Sequence, residues 1–406
     1  MPARLYRRHL GSALLMPDAI WRGRSDHTLV VVFLRGGADT LSILPPYSDD
    51  RYYRSRPTLA VARPGTATRA AIRLDDHYGL HPDMLPLEAA YREGRLAFVQ
   101  GVGIDNDSGS HFGCQDQMEH GDGSADTPAG GGWLGRFLRS CADAADSPLS
   151  AVAIGTGLPE SLRGAPSASV MERLEDIALR PPWGDPEQVV ARLASLYGPD
   201  RTLLGERGRQ TLDLFRRLSE LGIDSSTTAT SDAYPVGRFG DALRQVARLV
   251  RGDVGLRVAC LDLPGWDTHF FQGSTDGQQA GLIGTLARGM AAFERDLPRH
   301  RGRYTMLVTT EFGRRVYENA SQGTDHGRGF AALVLGEGVA GGRVLGPWPL
   351  EEIAEPTLAG PGGLAISLDA RSLFAEVLQG SLAATDSQLA SVFPGHAVRR
   401  QGLFSV

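Results

Sequence analysis

The sequence predicts an α/β fold: a doubly wound, mostly parallel sheet sandwiched by helices, with a helical insertion. Three observations predict it. Apolar, β-branched runs recur along the 406 residues with little polar alternation, as strands covered on both faces require. Amphipathic helical stretches lie between those runs. One stretch in the middle of the chain is helical with no strand signal.

Taken in order, residues 1–27 form an N-terminal segment. Arg7-Arg8 precedes Gly11-Ser12-Ala13-Leu14-Leu15-Met16, but Pro17-Asp18 breaks the apolar run. A secretory signal needs about 7–15 apolar residues and a small-residue cleavage site. The segment therefore reads as an ordinary terminus of a cytoplasmic protein, with export through a degenerate twin-arginine-like signal as the second reading. Residues 28–34 (TLVVVFL) are the first buried strand. Further strands are predicted at 96–102, 150–154, 256–263, 304–310 and 331–336. Helices are predicted at 83–93, 235–250, 278–297 and 370–382. In 278–297, Leu282, Leu286, Met290, Phe293 and Leu297 recur at spacings of three and four, one helical stripe.

Residues 119–132 (EHGDGSADTPAGGG) are too rich in Gly, Asp and Ser to be regular, and read as a mobile loop. Residues 187–221 are helical and 222–234 are polar and turn-forming. Residues 158–234 thus form a helical insertion with its linker, inside a single α/β domain spanning 28–406. No segment reaches the roughly 18 apolar residues of a membrane helix.

Composition excludes several chemistries. All 42 basic residues are arginine; the chain has no lysine. A Schiff base to pyridoxal phosphate or to a carbonyl substrate is impossible. A Walker-A loop and the strand lysine of a kinase are equally excluded. The net charge of −5 argues against general nucleic-acid binding. Cys114, Cys141 and Cys260 are widely spaced, so neither a disulfide framework nor a cysteine metal site is expected.

In open α/β sheets, ligands bind beyond the carboxyl ends of the strands. The residues near those ends are chemically rich. Arg35-Gly36-Gly37-Ala38-Asp39 follows the first strand. Asp105, Asp107 and Ser108-Gly109-Ser110-His111-Phe112 follow the second. Gly265-Trp266-Asp267-Thr268-His269 follows 256–263, and Glu311-Phe312-Gly313-Arg314-Arg315 follows 304–310. Thr324-Asp325-His326-Gly327-Arg328 comes just before 331–336.

Singly, each of these is also an ordinary cap, turn or surface charge. Jointly, Asp39, Asp267, His269, Glu311, Asp325 and His326 offer enough ligands for one or two divalent ions. Carboxylates with imidazoles suit zinc, manganese or iron; carboxylates alone suit magnesium or calcium. Ser110, if it opens a helix, sits at the positive end of the helix dipole and is a candidate nucleophile. His111 beside it is the second candidate catalytic residue. Arg35, Arg314 and Arg328 are candidate clamps for an anionic substrate. A plain Ser-His-Asp hydrolase has little support, because G-x-S-x-G is absent. His81 and Asp83, by contrast, read as the start of the helix 83–93.

Several of these strings in combination resemble a bacterial family, domain of unknown function 1501. They are Phe33 to Ser42 (FLRGGADTLS), Pro45-Pro46-Tyr47 and Tyr78-Gly79-Leu80-His81-Pro82. Ser110-His111-Phe112, Gln115-Asp116, Met118-Glu119 and Gly132-Trp133-Leu134-Gly135-Arg136 follow. Gly265 to His269 (GWDTH), Glu311-Phe312-Gly313-Arg314 and Gly323 to Gly327 (GTDHG) complete the set. The match runs from about 28 to 350.

The family looks like a branch of the alkaline phosphatase and sulfatase superfamily. The resemblance implies an alkaline phosphatase-like core, divalent metals at the carboxyl edge, and a nucleophile on a helix N-terminus. It implies a metal-dependent hydrolase or transferase of a phosphate or sulfate ester, with an anionic small-molecule or ester substrate. By resemblance, Asp39 is the first aspartate ligand and Ser110 the nucleophile. Asp267 and His269 are the Asp/His pair of one metal, Glu311 is the carboxylate of a second pair, and His326 is the late histidine ligand.

Two departures stand out. Phe312 replaces the histidine expected beside Glu311, and Asp267 and His269 lie closer together than in phosphatases. Either Asp325-His326 supplies both missing ligands or one metal is lost. No C-x-P-S-R sulfatase signature occurs, which argues against formylglycine chemistry. The alternative is a non-catalytic binding or assembly protein on the same fold that has lost part of the metal site.

Overall fold

The computed structural model describes residues 26–106, 108–121, 130–141, 147–177, 185–220, 234–348 and 363–404. All six predicted strands form. They are β1 (Thr28–Arg35), β2 (Leu96–Gly103), β3 (Ala151–Ile154), β5 (Val258–Pro264), β6 (Tyr304–Thr310) and β7 (Phe330–Gly336). In the main sheet three short strands were not anticipated, β4 (Ser169–Met171), β8 (Arg343–Leu345) and β9 (Leu368–Asp369), and neither was the separate antiparallel pair of Ile72–Arg73 with Gly79–Leu80. The nine-stranded sheet runs β8-β2-β7-β6-β1-β5-β3-β4, with β9 also on β2.

Its pairings are parallel except those of β7, which lies antiparallel between β2 and β6. Leu34 of β1 is level with Leu263 of β5 and Thr310 of β6, so these three strands end together at one edge.

Every residue of β1 from Thr28 to Leu34 is buried. Val30, Val32 and Leu34 face one core, with Leu243 and Val246 of α5 (Arg238–Arg251) and Ile283, Leu286, Met290 and Phe293 of α6 (Gly277–Asp296). Leu29, Val31 and Phe33 face the other, with Trp133 and Phe137 of α2 (Trp133–Arg139) and Phe374 and Val377 of α7 (Ala370–Leu382). Trp133 stacks on Phe374 at 4.6 Å. Period-two side-chain alternation against helices on both faces explains the unbroken apolar runs. This is the doubly wound α/β fold.

The predicted insertion is helical at α3 (Pro186–Tyr197) and α4 (Leu203–Glu220). It is not helical throughout, because β4 falls inside it and extends the sheet at its edge. Pro82–Leu87 is a 3₁₀ turn, followed by a short α-helix at Glu88–Arg92, where a continuous helix was expected. The interior Pro86 removes the amide that an α-helix would need there. His81 caps this turn, accepting from the Asp83 amide, and is fully buried.

Among the described residues no helix is long and apolar enough to cross a membrane. The twin-arginine segment, residues 122–129 of the predicted loop and the linker from 222 to 233 lie outside the described residues.

Candidate metal centre

The ends of β1, β5 and β6 and the helix after β2 supply most of the centre. After β1, the chain turns through Gly36 and Gly37, both with positive φ. A Cβ on Gly36 would lie 2.5 Å from the Asp267 amide nitrogen, so glycine permits this close approach of two strand ends. Glu311 follows β6 at once and is almost wholly buried.

Ser110 is the N-cap of α1 (His111–His120), with extended backbone. Its side chain is exposed and accepts no bond from the helix amides, so the hydroxyl is not consumed as a cap. His111 is the first residue of that helix.

Asp325 and His326 reach the same edge by another route. Because β7 runs antiparallel, the residues before it arrive where the parallel strands end. A bridge between Arg314 and His326 fixes this approach.

Three imidazoles and one carboxylate meet there. His111, Asp267 and His326 offer ligand atoms all within 4.8 Å of one another. His269 Nε2 lies 3.0 Å from Asp267 Oδ1 and 3.0 Å from His326 Nε2. His326 Nε2 is 3.2 Å and His111 Nε2 3.3 Å from the same Asp267 oxygen.

The other ring nitrogen of each histidine faces an acceptor. His111 Nδ1 donates to Glu311 Oε1 at 2.8 Å. His269 Nδ1 donates to Asp325 Oδ1 at 3.0 Å, and His326 Nδ1 to the Gly109 carbonyl at 2.8 Å. A neutral imidazole has one N–H, so in their neutral form the three rings would present their Nε2 lone pairs toward the same carboxylate oxygen. His111 Nε2 is buried with no hydrogen-bond partner. Four acceptors converging in this way fit a cation between them. Ligating histidines oriented through their second nitrogen are the usual arrangement around a metal.

The electrostatics of the two carboxylates and of His326 match. Burial works against ionisation of Asp267, but the hydrogen bond and charge of Arg314 Nη2 at 2.6 Å outweigh it and hold the pKa at about 2. Burial likewise opposes charge on Glu311, yet the bonds from His111 and Gln115 leave its pKa below the usual carboxylate value. The bond to Glu311, more than burial, decides the His111 pKa, which is raised. Burial lowers that of His326, favouring the neutral ligand form.

Phe312 is the wall of the site. Its ring lies 4.9 Å from that of His111 and 4.7 Å from that of His326. The histidine expected at this position is absent, and His111 from α1 supplies an imidazole instead.

Other expected ligands have different partners. Asp39 is fully buried, and its two oxygens accept from Arg56 at 2.6 and 2.9 Å. Ser42 and Gln272 add bonds to Oδ2 at 2.7 and 2.6 Å. Asp39 is thus a structural anion rather than an available ligand, and Arg56 is a residue that sequence reasoning missed. Its isolation in Tyr53-Arg54-Ser55-Arg56 gave no signal.

Glu311 Oε1 accepts from Gly36 N, His111 and Gln115, and Oε2 from Thr310. Glu311 therefore orients His111. Asp325, bonded to His269 and to Asn319 at 3.0 Å, orients His269.

The predicted anion clamps also separate. Arg35 is held by both oxygens of Glu119 and by Asp262. Arg314 is fully buried and spent on the carbonyls of Gly36, Gly37, Trp266 and Thr324 and on Asp267. Both are committed to partners on the protein. Arg328 is partly exposed and bonds through Nη2 to Asp105 at 2.6 Å.

A second trio, Asp116, His120 and Glu160, brings ligand atoms together at the far end of α1. There His120 Nδ1 is buried without a partner, so the orienting acceptor found at each histidine of the first cluster is missing.

A family model described as "Protein of unknown function (DUF1501)" matches residues 26–357. No curated protein matches the chain. Among solved structures, the chain is similar to Ps i-CgsB in complex with k-i-k-neocarrahexaose, at 8% identity and TM-score 0.38, covering 89% of this chain and 73% of that one. It is also similar to alkaline phosphatase from the Antarctic bacterium TAB5, at 10% identity and TM-score 0.30, covering 78% of this chain and 92% of that one.

Proposed function

The chain belongs to the DUF1501 family of proteins of unknown function, and from that premise we propose that it is a metal-dependent hydrolase or transferase of a phosphate or sulfate ester. The observation that carries the proposal is the meeting of three histidine Nε2 atoms on one Asp267 oxygen, with every Nδ1 bonded outward. His111, Asp267, His269 and His326 would hold one divalent ion. A mixed imidazole and carboxylate set favours zinc, manganese or iron over magnesium or calcium. When bound, such an ion supplies a Lewis acid for the ester oxygen.

Ser110 is the nucleophile in this reading. Its Oγ forms the bond to phosphorus or sulfur, the ester's bond to its alcohol breaks, and the alcohol departs with the proton that the serine gives up. Water or an acceptor alcohol then releases the group. Phe312 shields one side of the cluster, and Glu311 and Asp325 keep the imidazoles in register.

A non-catalytic, metal-binding assembly protein is the second reading. The diversion of Asp39 to Arg56 favours it, because one expected ligand is lost. Elemental analysis with turnover of aryl phosphates and aryl sulfates separates the two. The enzyme reading expects about one transition-metal ion per chain and activity that Ser110→Ala abolishes. A metal-loaded wild type without turnover would favour the binding protein; a wild type that takes up no metal would end the metal-site reading.

A further inference from the structure

Resting on the reading of this cluster as an ester-cleaving metal site, we infer that its substrate group carries a single negative charge, as in a sulfate monoester or a phosphodiester, and that Arg328 is the guanidinium that meets it.

The chain has no lysine, so among side chains of permanent positive charge only arginine can meet an anion. Arg35 and Arg56 are each chelated by a carboxylate, and Arg314 is buried and fully engaged. Arg315 follows Arg314 in the pairing that sets Arg314 opposite His326, with its own amide on the Asp325 carbonyl. Successive residues of an extended chain point to opposite faces. Accordingly, the Arg315 guanidinium turns to the Tyr317 hydroxyl and, through Nε, to the His326 carbonyl at 3.4 Å, not to Asp267.

Arg328 is different. It lies two residues beyond His326. Its partner Asp105 begins the loop that carries Gly109, the acceptor for His326, and then Ser110. The side chains of Arg328 and Asp105 are 39% and 67% exposed. An exposed pair of this kind contributes about 0–1 kcal/mol, so Arg328 can leave Asp105 for a substrate anion at little cost.

Charge then sets the substrate class. Asp105, Asp267, Glu311 and Asp325 bring four negative charges to the cluster, and Arg314 and Arg315 two positive charges. One divalent ion balances the remainder. Arg328 adds one positive charge, which one anionic charge on the substrate complements. The second charge of a phosphate monoester would enter without a partner. Among the described residues, Phe112 and Phe270, next in the chain to His111 and His269, are solvent-facing and bring no charge to the rim. An uncompensated charge in a partly desolvated site is strongly disfavoured.

The test uses the full chain loaded with zinc and checked by elemental analysis. Its specificity constants are compared on 4-nitrophenyl sulfate, bis(4-nitrophenyl) phosphate and 4-nitrophenyl phosphate. Binding of methanesulfonate, with one charge, and of methylphosphonate, at a pH where it has two, is measured by calorimetry. A preference of about ten-fold or more for singly charged groups in both measurements is expected. The better of the first two esters identifies the source of the charge.

Arg328→Gln should weaken methanesulfonate binding and raise KM with metal content unchanged. Metal-loaded protein that handles 4-nitrophenyl phosphate or methylphosphonate as well as the singly charged probes overturns the inference. So does loaded protein that binds neither anion, or an Arg328→Gln variant that binds methanesulfonate like the wild type. Protein that takes up no metal fails at the earlier step and overturns the metal-site reading together with this one.

Discussion

At the scale of single residues, Asp39 and Asp267 contrast two uses of one side chain. Asp267 is half exposed and has an oxygen on which three imidazoles converge. Asp39 is wholly buried and answers to Arg56. Burial alone would raise the Asp39 pKa, but Arg56, with Ser42 and Gln272, holds it below the usual carboxylate value. Its folded pKa is therefore depressed. The stability it contributes is present above the unfolded carboxylate pKa of about 4 and is lost as pH falls through the folded value. Arg56→Met should cost about 3–5 kcal/mol at neutral pH, because it leaves a buried carboxylate without its partner. Urea midpoints followed from neutral pH to about pH 3 should then fall less steeply in the variant than in the wild type. Parallel profiles would mean that Arg56 does not hold Asp39 ionised.

At the scale of elements, the centre depends on how closely strand ends approach. The turn after β1 passes against the turn after β5, and Gly36 occupies a φ of +118° there. Gly36→Ala meets both a left-handed backbone and a Cβ 2.5 Å from the Asp267 amide. It should cost about 1–3 kcal/mol and weaken metal binding by moving Asp267, as competition with a chromogenic chelator would measure. Unchanged affinity would show that Asp267 tolerates movement of this turn. Helix α1 acts in the same way. One turn apart on its face, His111 and Gln115 both reach Glu311 Oε1 at 2.8 Å, which ties the helix start to the end of β6.

At the scale of the whole molecule, the four cluster residues come from three separate stretches of chain, near the ends of β5 and β7 and at the start of α1. A cation binding them therefore binds the folded chain and not the unfolded one. Zinc at 100 times its dissociation constant should stabilise the protein by about 2.7 kcal/mol. The melting temperature should rise with zinc concentration, fall on chelation, and lose both responses in His269→Ala. A wild type whose melting temperature ignores zinc and chelator alike would remove the metal from the centre.

Much of this was legible in the sequence because it is local. A strand buried on both faces has to be apolar at every position, so 28–34, 96–102 and 304–310 announced themselves. The lack of lysine likewise set, from composition alone, which cations can act. The short strands β4, β8 and β9 gave no such signal, since two or three residues are too few for a pattern and draw their pairing from the sheet.

The site divides along the same line. Its residue types were readable from the segments around the strands, and Asp267, His269, His326 and His111 do converge. Which carboxylates remained available was not readable, because partner choice depends on distant side chains: Arg56 takes Asp39, while Gly36, Gln115 and Thr310 help to take Glu311. The direction of β7 was equally hidden. In a parallel strand, Asp325 and His326 would lie at the opposite edge of the sheet. Strand direction depends on which neighbours a strand finds in three dimensions, and the antiparallel placement between β2 and β6 is what carries His326 to the other ligands.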